Sequence, residues 1–145
     1  MATSLSRYAK ANRKERLLFW EAYRLSLLSR ITIWFLPVKR YSTWLGRHNA
    51  ESPVDEINCI STKAYSIAHA VRRSSRFALW PTQCLVEAMT TKKMLDKRNI
   101  PSTIYLGVGK DAKKQLIAHA WIRCGNTIIV GRKGMGRFKP VAWFS

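Results

Sequence analysis

At Ile100-Pro101 the periodicity of this chain changes, and that change limits the folds open to it. Downstream, "STIYLGV", "QLIAHAWIRC", "TIIVG" and "FKPVAWF" read as strands. They are separated by the polar turn "GKDAKK" and the hairpin signal Gly125-Asn126, and Pro140 marks the last as an edge strand. Upstream the pattern is helical. A Leu- and Trp-rich run from Leu17 to Leu36 is stopped by Pro37. A second helix is expected from Ser52-Pro53, with Asp55 and Glu56 at its positive end, to about Arg73. A third is expected from Pro81-Thr82 to Asn99. Residues 1–16 read as a frayed basic start, and residues 38–50 as a basic, aromatic connector. Helices followed by an antiparallel sheet make an α+β domain.

With 145 residues the chain fits one domain and can bury a real core. Its 47% hydrophobic and 11% aromatic content excludes a disordered polymer. Lys and Arg number 26 against 8 Asp and Glu, and a net charge of +18 draws polyanions, anionic membranes or acidic peptides. Three cysteines (Cys59, Cys84, Cys124) form no dense framework, and their odd number leaves a free thiol, which fits a reducing cytoplasm. The N-terminus lacks the apolar core of a secretory signal. Leu17–Leu36 has the length of a membrane span, but Glu21, Arg24 and Arg30 lie within it. Basic residues near a bilayer centre cost roughly 2.5 kcal/mol or more each, so it is not read as a transmembrane helix. Such a helix is expected to be buried or covered by a partner, with peripheral membrane contact as the alternative.

The chemistry concentrates in two places. In "LWPTQCLVEAM", Thr82 is a plausible helix N-cap, which puts Cys84 in the first turn. Unpaired N–H groups there stabilise a thiolate and can donate to an oxyanion formed on a carbonyl that the sulfur attacks. The plainer alternative is a small buried hydrophobe. His119, in the strand "QLIAHAWIRC", shares a face with Trp121 and Arg123, while Cys124 lies on the other face. A helix packed on the His119 face would bring its N-terminal Cys84 towards the imidazole, giving the Cys–His pairing of thiol acyl-transfer enzymes.

An ordered set of features is carried by "QCLVEAMTTKKMLDKRNIPSTIYLGVGKDAKKQLIAHAWIRCGNTIIVG". A Cys-Leu pair opens a helix, a basic helix end leads into Asn-Ile-Pro, a strand ends in Leu-Gly-Val, and Ala-His-Ala-Trp follows. This set resembles the bacterial lasso-peptide leader peptidases, the transglutaminase-like cysteine proteases of lasso-peptide biosynthesis. The Trp/Leu-rich helix and "FLPVKRYSTWLG" are similar to that family's helical extension. The resemblance implies a helical extension over residues 1–50 for partner docking and a transglutaminase-like, papain-like protease core over 51–145, together one compact unit. It implies a protein that cuts the leader from a ribosomally made precursor, exposing the amine that an asparagine-synthetase-like cyclase joins to an Asp or Glu side chain. Cys84 would be the nucleophile and His119 the general base. No cofactor or metal is implied. The leader-recognition protein is expected as a separate polypeptide, because no such extra domain fits this chain.

One departure from that family concerns the third catalytic residue. The family pattern completes a Cys-His-Asp triad with an aspartate on the strand after the histidine, about where Gly131 stands here. No acid follows Asp111. A two-residue turn at Gly125-Asn126 would set Arg132 opposite His119, and a three-residue turn would set Gly131 there. In the latter register Gly131→Asp is expected to raise the rate. Glu87, one turn past Cys84, could approach the site, and a backbone carbonyl or water could orient the ring instead. Gln83 could add an amide to the oxyanion hole, and Trp121 support to the ring.

His48 reads as a surface residue, His69 as a packed or half-exposed one, and His69 with Cys59 lacks metal-ligand spacing. Gly107, Gly109, Gly131, Gly134 and Gly136 read as turn glycines, with no phosphate-binding pattern among them. Two other readings compete with the protease. The charge and interspersed Trp and Tyr would suit a basic nucleic-acid-binding protein, although no zinc finger, RNP-like motif or helix-turn-helix occurs and no nucleic acid is expected. The missing acid would suit a catalytically dead scaffold of the same fold.

Overall fold

A computed structural model describes residues 11–54 and 58–145, with side chains except at 58–61. Among the described residues, three long helices and one short one precede a four-stranded antiparallel sheet, as the change of period requires. Helix α1 spans Arg13–Phe35 and ends where Leu36 and Pro37 turn extended. One further helical turn covers Val38–Tyr41. Helix α2 covers Asn58–Ser75 and helix α3 Cys84–Asp96. The strands are β1 (Thr103–Lys110), β2 (Leu116–Cys124), β3 (Thr127–Val130) and β4 (Lys139–Phe144), in the order β3-β2-β1-β4. Pro140 does lie on an edge strand, where its missing N–H costs no central ladder bond.

Two expected boundaries move. Residues 51–54 are not helical, and Ser52 is buried with its N–H donating to Thr103 Oγ1 at 2.8 Å. Ser52-Pro53 therefore anchors a segment to the sheet and does not open α2. Asp55 and Glu56 lie outside the described residues. Helix α3 closes through Asn99, whose φ of +53° puts it in the left-handed region. The N–H of Ile100 reaches Leu95 O and that of Asn99 reaches Asp96 O, both at 3.0 Å. This is the Schellman closure, with Ile100 as its apolar residue, and it delivers the chain to Pro101 and the first strand.

Helices and sheet share one cluster. Ala64, Ile67, Ala70 and Val71 of α2 and Ala88, Met89, Met94 and Leu95 of α3 pack with Ile104, Ala120, Ile122 and Cys124 of the sheet. The strand members are even-numbered, so that face of β1 and β2 meets the helices. Ala22, Tyr41 and Leu45, from the first fifty residues, belong to the same cluster. Helix α1 buries Ala22, Ser26, Ser29 and Thr32 beside Phe19, and packs Leu18, Leu25 and Ile33, half-buried, against the same core. Leu17, Trp20, Leu27, Leu28, Ile31, Trp34 and Phe35 remain exposed. The buried face thus carries small residues that allow close approach, with Phe19 and three half-buried aliphatic side chains, and the other face carries exposed large ones. Among the described residues no helix is long and apolar enough to cross a membrane.

A bidentate pair ties α1 to the end of α3. Arg98 Nη1 and Nη2 donate to Glu21 Oε1 and Oε2 at 3.0 and 2.7 Å, with Lys97 Nζ 3.4 Å from Oε1. The hydrogen bonds from Arg98 hold the Glu21 carboxyl below its ordinary value, against an opposing effect of burial. A depressed folded-state value means the pair stabilises the fold above the ordinary carboxylate range and stops doing so as pH falls through the folded value. Glu21→Gln should therefore lower Tm at neutral pH, by about 3 °C or less for a pair worth up to ~1 kcal/mol. Melting curves near pH 7 and near pH 3 check this: the difference between wild type and variant should vanish at the acid end.

Candidate active site

Helix α3 begins at Cys84. Its cap is Gln83, with extended backbone and no side-chain hydrogen bond, so Thr82 is not the cap. The first turn closes from Glu87 N–H to Gln83 O at 3.1 Å. With no side-chain acceptor from the cap, the N–H groups of that turn keep their capacity to bind an anion beside the sulfur. Cys84 is partly exposed, as a reacting thiol must be, whereas Cys124 is buried on the core face with its sulfur 3.4 Å from Pro101 O. The segment leading to Cys84 is fastened to α1: Trp80 Nε1 donates to Ser26 Oγ at 3.1 Å, and the Trp80 ring lies 4.9 Å from that of Tyr23.

His119 lies on the odd face of β2, opposite Gly107 of β1. Its imidazole packs against two aromatic rings, Trp121 at 6.0 Å and Phe138 at 4.9 Å. Trp121 is itself buried and stacks on Tyr105 at 5.6 Å. Two glycines of β1 make room for this aromatic row. A Cβ on Gly107 would stand 2.6 Å from the Trp121 ring, and one on Gly109 would stand 2.7 Å from Arg137 O. Gly107 and Gly109 are therefore strand glycines under bulky neighbours, not turn glycines.

The ring's partner is the main-chain carbonyl of Gly131, 2.7 Å from Nε2. A carbonyl only accepts, so Nε2 carries the hydrogen, and in the neutral ring Nδ1 holds the lone pair. That tautomer leaves one ring nitrogen free to act as a base.

Neither expected register brings Gly131 or Arg132 into the ladder beside His119. The turn has two residues, with Cys124 paired to Thr127 and Arg123 to Ile128. A bulge then pairs Ile122 with Val130, and β3 stops there. Gly131 turns away with φ of +74°. From Trp121 backwards β2 has no β3 neighbour, and the open sheet edge receives the start of α3.

This corrects a second expectation. Helix α3 packs on the even face of β2, not on the face of His119. Its N-terminus and the imidazole nonetheless line one cleft of about 550 Å³, at the edge that β3 leaves uncovered. Thr82 and Glu87 from the helix side, and Gly131, Arg132 and Lys133 from the chain after β3, complete its wall with Arg72 of α2. Three cations face one carboxylate, so the cleft favours anionic groups.

Of the remaining candidates, Gln83 is exposed and caps through its backbone. Asp111 accepts the N–H groups of Lys113 and Gln115 at 2.9 Å, which makes it a turn-forming residue. His48 and His69 are exposed, and His48 packs on Phe144 at 5.1 Å. The side chain of Cys59 is outside the described residues. Among the described residues no cluster of His, Cys, Asp or Glu could hold a metal. The backbone carbonyl expected as an alternative orienter is that of Gly131, whereas Phe138 and Arg72 escaped the sequence reading, Arg72 because it reaches the cleft only through the packing of α2.

A cysteine at a helix start, an imidazole lining the same cleft and an acceptor that fixes its tautomer are the groups that thiol acyl transfer uses. Residues 32–142 match the transglutaminase-like superfamily. The chain belongs to that superfamily. It includes cysteine proteases, and the α+β architecture agrees with it. No curated protein and no solved structure matches the chain.

The geometry at Gly131 reverses the expected effect of restoring an acid there. A Cβ would stand 2.3 Å from Ala120 O and 2.8 Å from Trp121 Cβ, on a backbone of positive φ. Gly131→Asp should therefore destabilise the protein by more than the ~1 kcal/mol of left-handed strain alone and displace the carbonyl from His119. Thermal melts and thiol-alkylation rates check this. Both Tm and the reactivity of Cys84 should fall.

Proposed function

We propose that this protein is a cysteine endopeptidase that removes the leader from a ribosomally made lasso-peptide precursor. The observation that carries the reading is the shared cleft of Cys84 and His119, with Nε2 committed to the Gly131 carbonyl. Membership of a superfamily that includes cysteine proteases supports it, as does the ordered set of motifs from Cys84 to Ala-His-Ala-Trp.

The steps follow from the groups present. His119 Nδ1 takes the proton of Cys84, and the thiolate attacks the carbonyl carbon of the last leader residue. The resulting oxyanion is stabilised by N–H groups of the first turn of α3. The intermediate collapses, the C–N bond breaks, and the imidazolium returns its proton to the departing amine. That amine is the new N-terminus of the core peptide. A water, deprotonated by His119, then hydrolyses the thioester and frees the leader carboxylate. Trp121 and Phe138 pack against the ring, and Glu87 sits near enough to bias the charge of the cleft. No step calls for a cofactor or metal.

In this reading residues 51–145 are the protease core and residues 1–50 the docking extension. A separate recognition protein presents the leader in the cytoplasm, and an asparagine-synthetase-like cyclase consumes the freed amine. A dead scaffold would share the fold but not the reactive thiol.

The test is cleavage of a precursor followed by mass spectrometry, with the recognition protein supplied. Cys84→Ala and His119→Ala should each reduce leader release by at least about 10³-fold and by similar factors, because the pair acts as a unit. Cys124→Ser should leave it largely intact. Near-normal cleavage by His119→Ala would remove the dyad, and equal alkylation of all thiols in the wild type would favour the scaffold.

A further inference from the structure

Helix α1 turns its large apolar side chains away from the protein. Trp20, Trp34 and Phe35 are 50%, 69% and 76% exposed, and Leu17, Leu27, Leu28 and Ile31 join them. At about 100° per residue these seven fall within an arc of about 120°, running about 27 Å along the helix. Arg13 and Arg24 lie in the same arc, and Arg30 places its guanidinium 5.2 Å over the Trp34 ring at its border. Glu15 is on another side of the helix, and Glu21, at the border, is held by Arg98. The arc is thus apolar, aromatic and cationic, on a chain of charge +18.

Each part of that composition bears on what covers it. A second copy would bring two chains of +18 together, arc on arc, with Arg24 against the same stripe. A helical partner in a coiled coil reads a narrow seam of Leu, Ile and Val, whereas this arc is wide and carries two tryptophans about 21 Å apart. A lipid surface suits all of it. Leu, Ile and Phe enter the acyl boundary, and Trp rings settle at the headgroup level. Long Arg side chains snorkel to the phosphates. We propose that the outward face of α1 docks the protein on an anionic bilayer surface, lying in the interface without crossing it. The opposite face of the helix stays packed on the protein through Ala22, Ser26 and Ser29, so docking requires no unfolding. The site chemistry does not enter this inference.

Sedimentation of the full chain with lipid vesicles tests it. Vesicles of phosphatidylcholine with about a third phosphatidylglycerol should bind it at least about tenfold more tightly than phosphatidylcholine alone. Trp20→Ser/Trp34→Ser should weaken binding to the anionic vesicles by about tenfold or more, and Leu27→Ser/Leu28→Ser should do the same. Lys113→Glu/Lys114→Glu removes charge from the distant β1–β2 turn and should change binding by less than about threefold. Circular dichroism and melting confirm that each variant is folded, and brominated lipid should quench tryptophan emission in the wild type. Equal binding by wild type and Trp20→Ser/Trp34→Ser would overturn the proposal, leaving only diffuse charge. So would a dimer, seen by light scattering, that the same substitutions abolish. Equally tight, Trp-dependent binding to polyglutamate in place of vesicles would assign the face to an acidic protein instead.

Discussion

The hydrogen bond from His119 Nε2 to the Gly131 carbonyl rests on how β3 ends, and the rest of the site rests on it in turn. Strand β3 could have continued along β2 and covered the edge where His119 lies. Instead a bulge at Ile129 shifts the register, the ladder closes at Ile122–Val130, and Gly131 enters the left-handed region. Three consequences follow together. The edge of β2 is uncovered, the start of α3 can reach it, and a carbonyl turns to the imidazole. A residue with a side chain at position 131 would collide with Ala120 O, so glycine is needed for each of them. The position where the resemblance to leader peptidases implies an aspartate is occupied by a residue whose main-chain carbonyl meets the imidazole.

The helical layer holds the other half of the site. Cys84 is fixed by what precedes it: Trp80 is hydrogen-bonded to Ser26 and packed on Tyr23, both on α1. The far end of α3 is held to the same helix by Glu21 and Arg98. Helix α1 therefore braces both ends of the helix that carries the thiol, and its small buried residues let it lie close enough to do so. Phe19, Leu18, Leu25 and Ile33 fill the rest of the inward face, and the remaining large side chains point outwards. The segment before Cys84 packs on Ser26 and Tyr23 of α1, and Tyr23 in turn touches Trp20 of the exposed arc.

Much of this was legible in the chain itself. The switch at Pro101 separated helices from strands, Gly125-Asn126 marked the hairpin, and Pro140 marked an edge. These are local signals, set by backbone dihedrals and by alternation, and they survive folding. Cys84 at a helix start and His119 in a strand were visible for the same reason. The failures were non-local. Ser52-Pro53 carries every mark of a helix start, yet tertiary bonds to Thr103 hold it extended. Gly107 and Gly109 look like turn residues, and only the position of the Trp121 and Phe138 side chains shows why glycine is needed within a strand. The side of the sheet that α3 covers depends on which face is more apolar over both β1 and β2. Ala120, Ile122 and Cys124 outweigh the aromatic face that includes His119, whose rings pack mainly on one another.

That preference has a chemical consequence. Because the helix lies against the even face, the imidazole is not sealed beneath it but sits at an open edge, flanked by aromatic rings and lined on the far side by cations. A carboxylate partner would both hold the ring and stabilise its protonated form, whereas a neutral carbonyl holds the ring equally well and stabilises the charge less. In the proposed reaction Arg72, Arg132 and Lys133, which line the same cleft, would stabilise the negative charge of an oxyanion. Under the proposed reaction, stabilisation of the transition state would then fall to the start of α3 and the cations of the cleft more than to the histidine's partner.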